Sequence, residues 1–505
     1  MYFIGIDIGT TNCKLCLYDF PEFNLVFKYY FKTPKIITGD YSDFDINEIW
    51  LNIKKGLKII STKVKNIGDI KNISIASVGE AGVLIDKKGG IIGPVITWYD
   101  PRTIIELKHI CDVLGSDVIY GITGLPPHSN YSLNKILWIK SHYPSKFNSA
   151  FKWLCMAEYI AYKLTGEMKA EYSLASRTMV LDLTTKHWSE KILKDLKLDE
   201  DIFPNLIDSG AVVGNILKSV SEQINLSPHT TVSIAGHDHM CGSIAAGLTD
   251  ENSILNSTGT TEGLLTLQNN PHLESQFFNY ALSNGIHVIS DYYTLFASLP
   301  CAGYSIDWYT RMFSMLNDEL ENFITRLYEK KSKLSLKKSK SIVFIPHLRG
   351  SGPPNRSINS RGLFYGLSEY TTKEELLVAV FEGLCYELKN LLYAFEKLLG
   401  YKYKQVRVIG SACKNPFWLQ LKADILNREI VAYEIDEAVA KGAVILSAYK
   451  NGYLKHWKDL EAINAEQIKT FEPNYNLTVC YEDIFREIYI PFYEFKVNLE
   501  KKEME

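Results

Sequence analysis

The same short pattern occurs twice in this chain, once near the N-terminus and once at mid-chain. A strand-like apolar run enters the turn Gly9-Thr10-Thr11, and another enters Gly259-Thr260-Thr261. Strand-like sequence follows each turn, so each pattern predicts a β-hairpin with a tight glycine and hydroxyl turn. The recurrence indicates an internal duplication in which one hairpin opens each half. We therefore place a boundary near residues 246–252 and predict domains at 1–248 and 249–505.

The length and the composition agree with two folded domains. A chain of 505 residues exceeds the roughly 250–300 residues at which one hydrophobic core stops growing. With 46% hydrophobic and 22% charged residues, it has the composition of an ordinary soluble protein. A net charge of −3 offers no basic excess, which argues against a nucleic-acid partner.

The N-terminal sequence has no basic region before its apolar run, and no apolar stretch of about 18 residues follows elsewhere. We therefore expect a cytoplasmic protein with no membrane partner. Nine cysteines are scattered along the chain. Cys13 and Cys16 have C-x-x-C spacing, but in a strand their sulfurs face opposite sides, so we predict no metal or redox role.

Both halves alternate strand-like runs with amphipathic segments. In the second half the run 406–410 precedes helical spacing at 418–426, and the segment 374–388 also has helical spacing. This alternation predicts an α/β fold. The lysine-rich segment 330–340 is expected to be a solvated loop or a helix end.

The two turns are candidates for binding phosphate, although the chain has no Walker loop. Glycine lets the backbone approach a phosphate, and the threonine hydroxyls and backbone N–H groups donate to its oxygens. Asp7 precedes the first turn, where a carboxylate is suited to holding Mg²⁺, often through water. Either turn alone is equally compatible with a plain hairpin. Two of them, one in each half, favour a nucleotide site.

Two further segments are candidates for chemistry. Asp238 follows a strand end and begins a helix rich in small residues, so it is either an N-cap or an acid exposed at a cleft floor. His237 and His239 flank it, and a pair at this spacing is more often hydrogen-bonded structure than a metal site. The small residues after the strand 406–410 leave room for a nucleotide base, and a tight strand-to-helix turn is the alternative.

These four elements, in this order, resemble the FGGY family of carbohydrate kinases, within the superfamily of sugar kinases, actin and Hsp70. The resemblance covers nearly the whole chain. The additional segments that carry it are 77–86, 97–102, 164–167, 175–178, 346–352, 360–362 and 438–444.

The resemblance implies an α/β fold of two RNase-H-like (actin-like ATPase) domains with a central cleft. It implies transfer of the ATP γ-phosphate to a hydroxyl of a small ketose (a pentulose, hexulose or deoxyhexulose) or polyol, by a homodimer that uses ATP and Mg²⁺. Asp238 matches the catalytic base, and Asp7 matches the acid that places Mg²⁺. The residues that match ATP-binding motifs are Thr10, Thr11, Asn12, Gly259, Thr260, Thr261, Gly410, Ser411, Ala412 and Asn415.

The substrate motif departs from better-known members at Gly79-Glu80-Ala81. Xylulose kinases resemble Gln-Met-His there, and glycerol kinases show Arg-Glu, so the departure argues against both ordinary substrates. The candidate sugar contacts are Glu80, Trp98, Asp100, Asn130, Asp238 and His239. Carboxylates and amides hydrogen-bond to hydroxyls, and tryptophan stacks on C–H faces. Each could instead be structural; Glu80, for example, could pair with Arg102.

Two other functional classes share the same hairpins. One is a nucleotide-gated binding protein of the Hsp70 or actin type without sugar kinase activity. The other is a regulator that has lost catalysis. The retention of Asp7, both turns and Asp238 in one chain favours an active kinase.

Overall fold

The computed structural model describes residues 1–330, 342–456 and 468–504. A six-stranded sheet forms the N-terminal half. Its strands, in spatial order, are Val212–Asn215, Thr231–His237, Ile70–Ser77, Tyr2–Ile8, Asn12–Asp19 and Leu25–Lys32. The first strand of the chain pairs antiparallel with its hairpin partner and parallel with Ile70–Ser77.

A seven-stranded sheet forms the C-terminal half. Its spatial order is Ser283–Ile286, Tyr293–Leu299, Glu262–Gln268, Ile254–Thr258, Gln405–Gly410, Glu429–Tyr433 and Ile468–Phe471. Strand Ile254–Thr258 again pairs antiparallel with its hairpin partner and parallel with a later strand. Both predicted hairpins are confirmed, and so is the two-domain α/β fold. The boundary between residues 248 and 249 stays a prediction.

Helices cover the two sheets. In the first half they are Ile46–Ser61, Ile104–Leu114, Ser116–Thr123, Ser132–His142, Pro144–Phe147, Met156–Thr165, Tyr172–Ala175, Glu190–Asp195, Lys218–Ile224 and Asp238–Ala245. In the second half they are Ser275–Asn279, Gly303–Met312, Asn317–Lys330, Lys373–Leu399, Pro416–Leu426, Ala438–Lys450, Tyr475–Ile484 and Ile490–Met504, with a π-helical turn at Phe485–Tyr489.

Short strand pairs lie outside the two large sheets. They are Lys35–Thr38 with Tyr41–Phe44, Gly82–Asp86 with Ala150–Cys155, Ala170–Glu171 with Leu206–Ile207, Leu181–Asp182 with His187–Trp188, and Val343–Ile345 with Leu363–Tyr365. Four of these five pairs belong to the first half. All of those four except Lys35–Thr38 with Tyr41–Phe44 join neighbouring helices in a separate hydrophobic cluster around Trp153 and Trp188. This cluster supports one wall of the cavity described below.

The helix predicted at 374–388 is longer than expected and spans Lys373–Leu399. A capping box starts it, because the Thr372 hydroxyl accepts from the Glu375 N–H at 3.2 Å and Glu375 accepts from the Thr372 N–H at 2.9 Å. Gly400 ends it in the left-handed region at φ +79°. The lysine-rich segment 330–340 lies, from residue 331, outside the described residues.

A shared core joins the two halves. Helices Asp238–Ala245 and Ala438–Lys450 cross within it, in contact with apolar side chains of both large sheets. The crossing is close because a Cβ on Gly442 would lie 1.8 Å from the Cys241 carbonyl oxygen. Helix Ala438–Lys450 also covers the N-terminal sheet, where a Cβ on Gly5 would lie 2.4 Å from the Ala440 oxygen. Glycine at both points permits this contact between the halves.

Two smaller features concern the cysteine pair and the helices. Cys13 and Cys16 lie in different hydrophobic clusters, as expected for residues on opposite faces of a strand. Across the described ranges, no helix is both long and apolar enough to cross a membrane.

Candidate active site

The first half brings three candidate segments to one edge of its sheet. Strands Tyr2–Ile8, Ile70–Ser77 and Thr231–His237 are mutually parallel neighbours, so their carboxyl ends lie together. The first phosphate turn, the Gly79-Glu80-Ala81 segment and Asp238 follow these three ends. Ligands of α/β proteins commonly bind beyond the carboxyl ends of parallel strands.

A cavity of about 320 Å³ lies at this edge, with walls from both halves of the chain. The predicted residues that line it are Thr10, Glu80, Trp98, Asn130, Asp238, His239 and Thr261. Thr10 and Thr261 come from the two Gly-Thr-Thr turns, so one space contacts both. The cavity is large enough for a monosaccharide-sized ligand.

Asp238 is the first residue of helix Asp238–Ala245, and His237 is the N-cap residue. The Asp238 Oδ1 accepts from the His239 backbone N–H at 2.7 Å. Burial raises the pKa of Asp238, so this carboxylate holds a proton more readily than a free aspartate does. Burial also lowers the pKa of His237 well below its usual range, and its ring 3.2 Å from Asp238 is therefore neutral.

A buried polar network fixes the backbone that precedes Asp238. The Ser173 hydroxyl accepts from the His237 N–H at 2.9 Å and donates to Glu171 at 2.7 Å. Glu171 also accepts from the Leu174 N–H at 3.0 Å. Gly236 has φ +120°, and a Cβ there would lie 2.4 Å from the Ser173 hydroxyl. The chain therefore turns into helix Asp238–Ala245 along one defined path.

Glu80 lies in the left-handed region at φ +63°, which is rare for a residue with a side chain. The Ser132 hydroxyl donates to its carbonyl at 3.0 Å, and Arg177 donates to its Oε1 from Nε at 2.8 Å and from Nη2 at 2.7 Å. The cation beside Glu80 is thus Arg177, and the alternative pairing with Arg102 is wrong. Both arginine bonds end on Oε1, which leaves Oε2 for a ligand.

Asp100 does not line the cavity, contrary to the expectation that it contacts sugar. Its oxygens accept from the Ser42 N–H at 2.6 Å, from the Arg102 N–H at 2.9 Å and from the Arg102 guanidinium at 2.7 and 2.8 Å. Arg102 also pairs with Asp43 at 2.8 Å. With its oxygens engaged and its side chain fully buried, Asp100 supports the wall that carries Trp98.

Trp98 and Asn130 are tied to their surroundings by polar contacts. The Trp98 indole N–H donates to the Thr10 hydroxyl at 2.8 Å, which links Trp98 to the first Gly-Thr-Thr turn. The Asn130 side-chain oxygen lies 2.9 Å from His128 Nδ1, and the buried Lys135 donates to the Asn130 carbonyl. Both residues therefore have fixed positions at the cavity wall.

Asp7 lies behind the first turn and is 6% exposed. Burial raises its pKa to about 7, although Lys14 at 3.6 Å opposes the shift. Lys14 also pairs with Glu437 of the second half at 2.7 Å. No cluster of three or more metal-ligating side chains occurs among the residues that the structure describes. A single carboxylate still fits Mg²⁺, because this ion is commonly held by one or two carboxylates together with substrate phosphates.

The other predicted nucleotide residues lie at the two turns and beside them. Asn12 closes the first turn, because its carbonyl accepts from the Gly9 N–H at 3.2 Å, and the Thr11 carbonyl accepts from Thr33 at 2.9 Å. In the second turn the Gly259 N–H donates to the Thr261 carbonyl at 2.8 Å, and the Thr260 carbonyl accepts from Ala302 at 3.1 Å.

The segment from Gly410 to Asn415 adjoins the second hairpin. Gly410 pairs with Thr258, and at φ +95° a Cβ on Gly410 would lie 2.0 Å from the Thr258 oxygen. The Ser411 hydroxyl donates to the same oxygen at 3.3 Å. Ala412 is buried, and Asn415 caps helix Pro416–Leu426 by accepting from the Trp418 N–H at 3.0 Å. These four residues lie outside the cavity lining and beside the turn.

Several charged or polar residues of the cavity were not predicted as site residues. They are His128, Tyr131, Arg177, Arg349, Ser351 and Arg356. Arg177, Arg349 and Ser351 lie in the segments 175–178 and 346–352 that carry the family resemblance, so a signal existed for them. No local sequence pattern marks His128, Tyr131 or Arg356, and only the folding of the chain brings them to the cavity.

Comparison with known proteins agrees with this geometry. Residues 2–245 match the N-terminal domain of the FGGY family of carbohydrate kinases, and residues 254–450 match its C-terminal domain. The chain is 30% identical to a xylulose kinase of Staphylococcus xylosus over 503 residues, covering 98% of this chain and 100% of the relative. It is 26% identical to a gluconokinase of Bacillus subtilis over 464 residues, covering 89% and 88%.

Solved structures resemble the fold. A gluconate kinase from Lactobacillus acidophilus superposes with a TM-score of 0.88 at 23% identity, covering 98% of each chain. Family matches in both halves argue against a binding protein without kinase activity. The chain belongs to the FGGY family of carbohydrate kinases and is a phosphotransferase with an alcohol group as acceptor.

Proposed function

We propose that this protein transfers the γ-phosphate of ATP to a hydroxyl of a small ketose or polyol, with Asp238 as the base. The observation that carries the proposal is the shared cavity. Asp238, both Gly-Thr-Thr turns and the polar wall of Glu80 and Trp98 contact one space of about 320 Å³. Phosphoryl transfer needs little more from a protein than positioning, a base and charge stabilisation.

In this proposal the acceptor hydroxyl donates its hydrogen bond to the Asp238 carboxylate. The oxygen attacks the γ-phosphorus, the bond to ADP breaks, and the proton passes to Asp238. Burial raises the pKa of Asp238, which makes its carboxylate a stronger base than a free aspartate. Glu80 accepts hydrogen bonds from other hydroxyls of the sugar, and Trp98 packs against its C–H groups.

The nucleotide is held by the two turns and by the segment from Gly410 to Asn415. Backbone N–H groups and threonine hydroxyls of the turns donate to phosphate oxygens. The small residues after Gly410 leave space for the adenine ring. Asp7 is the residue suited to holding Mg²⁺, which supplies positive charge to the phosphates. The homodimer and the cytoplasmic location stay predictions.

The acceptor is proposed within the class of small sugars. Relatives that match along most of the chain are named xylulose kinases, a gluconokinase and a glycerol kinase, and these names differ in acceptor. The family therefore fixes the reaction, whereas the few side chains of the cavity select the acceptor.

The direct test is Asp238→Asn, assayed by ADP release over a panel of ketoses and polyols. We expect kcat to fall by about 10²–10⁴-fold, with little change in affinity for ATP or sugar. Asp112→Asn, on the exposed face of helix Ile104–Leu114, is the matched control and should behave as wild type. Sugar-dependent turnover near the wild-type rate in Asp238→Asn would remove Asp238 from the mechanism.

A further inference from the structure

One end of the cavity carries more positive than negative charge. We call it the arginine end and define it by His128, Tyr131, Arg177 and Arg356, which line the cavity together. Arg177 places its guanidinium over the Tyr131 ring at 5.2 Å from the centroid. Arg356 lies close enough to Tyr131, Arg177 and His128 to interact electrostatically with them. Two guanidinium groups therefore face one small volume.

The charge of Arg177 is balanced, and the charge of Arg356 is not. Glu80 neutralises Arg177 through two hydrogen bonds of 2.7 and 2.8 Å. Burial lowers the pKa of His128 to about 4, so its ring is neutral near pH 7. Arg356 forms no ion pair with another residue in the described parts of the chain, and its side chain is accessible to a ligand. The arginine end thus keeps one unpaired cation.

The backbone that carries Arg356 is held in a closed loop. The Ser351 N–H donates to the Ser357 carbonyl at 2.8 Å, and the Ser351 hydroxyl donates to the Asn355 carbonyl at 2.6 Å. The same hydroxyl accepts from the Ser357 N–H at 2.9 Å. These bonds fix the residues on both sides of Arg356. A cation on a fixed loop is preorganised for a ligand and loses less entropy on binding.

Arg349 is the cavity arginine that adjoins the second Gly-Thr-Thr turn, where the nucleotide phosphates are proposed to bind. The Arg349 guanidinium lies 4.7 Å from the Tyr304 ring. The Tyr304 N–H in turn donates to the Thr260 carbonyl in the second phosphate turn, at 3.2 Å. Arg356 instead adjoins His128 and Tyr131, next to the proposed sugar contact Asn130. The anion that pairs with Arg356 therefore belongs to the acceptor.

We propose that the preferred acceptor is a five- or six-carbon sugar acid, whose carboxylate binds Arg356 while a hydroxyl distant from it reaches Asp238. This inference rests on the proposed function and replaces its ketose or polyol with a sugar acid as the preferred acceptor. A guanidinium and a carboxylate form two parallel hydrogen bonds, and this pairing determines which end of the sugar lies near Asp238. The carboxylate takes no part in the transfer, and the products are ADP and the phosphorylated acid.

The test compares acids with neutral polyols of equal chain length. ADP release is measured with D-gluconate against D-glucitol and with D-xylonate against xylitol, and D-xylulose represents the ketoses. We expect wild-type kcat/KM to be at least roughly 10-fold higher for the acid in at least one matched pair, as expected for a charged hydrogen bond. A sugar phosphate of equal length distinguishes a carboxylate site from a general anion site. A preference for the phosphate would overturn the proposal.

Arg356→Gln then tests the residue. Its kcat/KM for the acid should fall by roughly 10- to 100-fold, mainly through KM, because one charged hydrogen-bond partner is lost. Turnover of the neutral partner and KM for ATP should change less than about 2-fold, and Arg356→Lys should recover part of the loss. Arg311→Gln makes the same change on an exposed arginine outside the cavity lining and should behave as wild type.

Three further results would overturn this inference while leaving the kinase intact. They are a wild-type preference for neutral sugars, equal losses on acid and neutral acceptors in Arg356→Gln, and a raised KM for ATP in that variant. Failure of the proposed function looks different. In that case no acceptor of any charge stimulates ADP release, and Asp238→Asn matches wild type.

Discussion

Replacing Glu80 by glutamine tests whether Glu80 contacts the sugar or only supports the cavity wall. Glu80 and Arg177 form a buried pair in which each side chain is 8% exposed. Removing one partner of such a pair costs about 3–5 kcal/mol, because the other charge stays buried. Glutamine keeps an acceptor oxygen for Arg177, so we expect the lower part of that range, about 3 kcal/mol. For a domain of 150–250 residues this corresponds to a fall in Tm of about 6–12 °C.

The same substitution should change sugar use if Oε2 accepts substrate hydroxyls. If the amide nitrogen of glutamine takes the place of Oε2, its N–H faces a sugar hydroxyl that also donates, and this mismatch costs about 1–3 kcal/mol. That loss corresponds to a fall in kcat/KM of roughly 5- to 150-fold for a sugar with the contacted hydroxyl. A sugar that lacks this hydroxyl should lose much less, so the ratio of the two efficiencies should change. KM for ATP, measured at saturating sugar, should stay within about 2-fold.

Asp100→Asn is the matched control, because it also removes charge from a buried carboxylate that binds an arginine. Asp100 pairs with Arg102 at 2.7 Å and lies outside the cavity lining. This control should lower Tm without changing the ratio between sugars. If Glu80→Gln gives the same result, with a lower Tm and an unchanged ratio, Glu80 does not contact the sugar. Glu80 would then only support the wall.

Three further predictions concern the nucleotide, the metal and the base. Gly410→Ala should lower both Tm and ATP affinity, because the added Cβ would lie 2.0 Å from the Thr258 oxygen. Gly400→Ala is the control and should keep ATP affinity, because no atom lies within 4 Å of a Cβ at that position. Asp7→Asn should raise the Mg²⁺ concentration that gives half-maximal activity in a titration at fixed ATP. It should not lower Tm, because the substitution removes a buried charge. An unchanged Mg²⁺ requirement would contradict a role for Asp7 in holding the metal. Burial raises the pKa of Asp238, so this base should lose its proton at a pH above the usual aspartate value. We therefore expect kcat/KM to rise with pH over that range. A flat pH profile down to pH 4 would contradict the role of Asp238 as the base.

Features set by local sequence were predictable. Each Gly-Thr-Thr turn follows a strand at a fixed offset, and hairpin geometry places its hydroxyls at the sheet edge without help from the rest of the chain. Asp238 could be recognised because small residues follow it on a helix. The roles of these residues stay proposals, but their convergence on one cavity follows from the parallel strands that precede the turn and Asp238.

Features set by long-range contacts were not predictable. Asp100 follows Trp98 closely in sequence, which suggested a second sugar contact, yet Ser42 and Arg102 engage its oxygens. No spacing rule pairs Glu80 with Arg177, since the residues are far apart in the chain and meet only after the first half has folded. The same applies to Arg356, which belongs to the second half, whereas the other residues of the arginine end belong to the first.

The two carboxylates central to the proposed reaction are both tied to helix Ala438–Lys450. Asp238 begins the helix that crosses it at Gly442, where the backbones nearly touch. Asp7 adjoins Lys14, which pairs at 2.7 Å with Glu437, the residue that precedes that helix. The base and the proposed metal ligand are therefore both anchored to one helix of the second half, so a substitution that loosens this helix should disturb both carboxylates together.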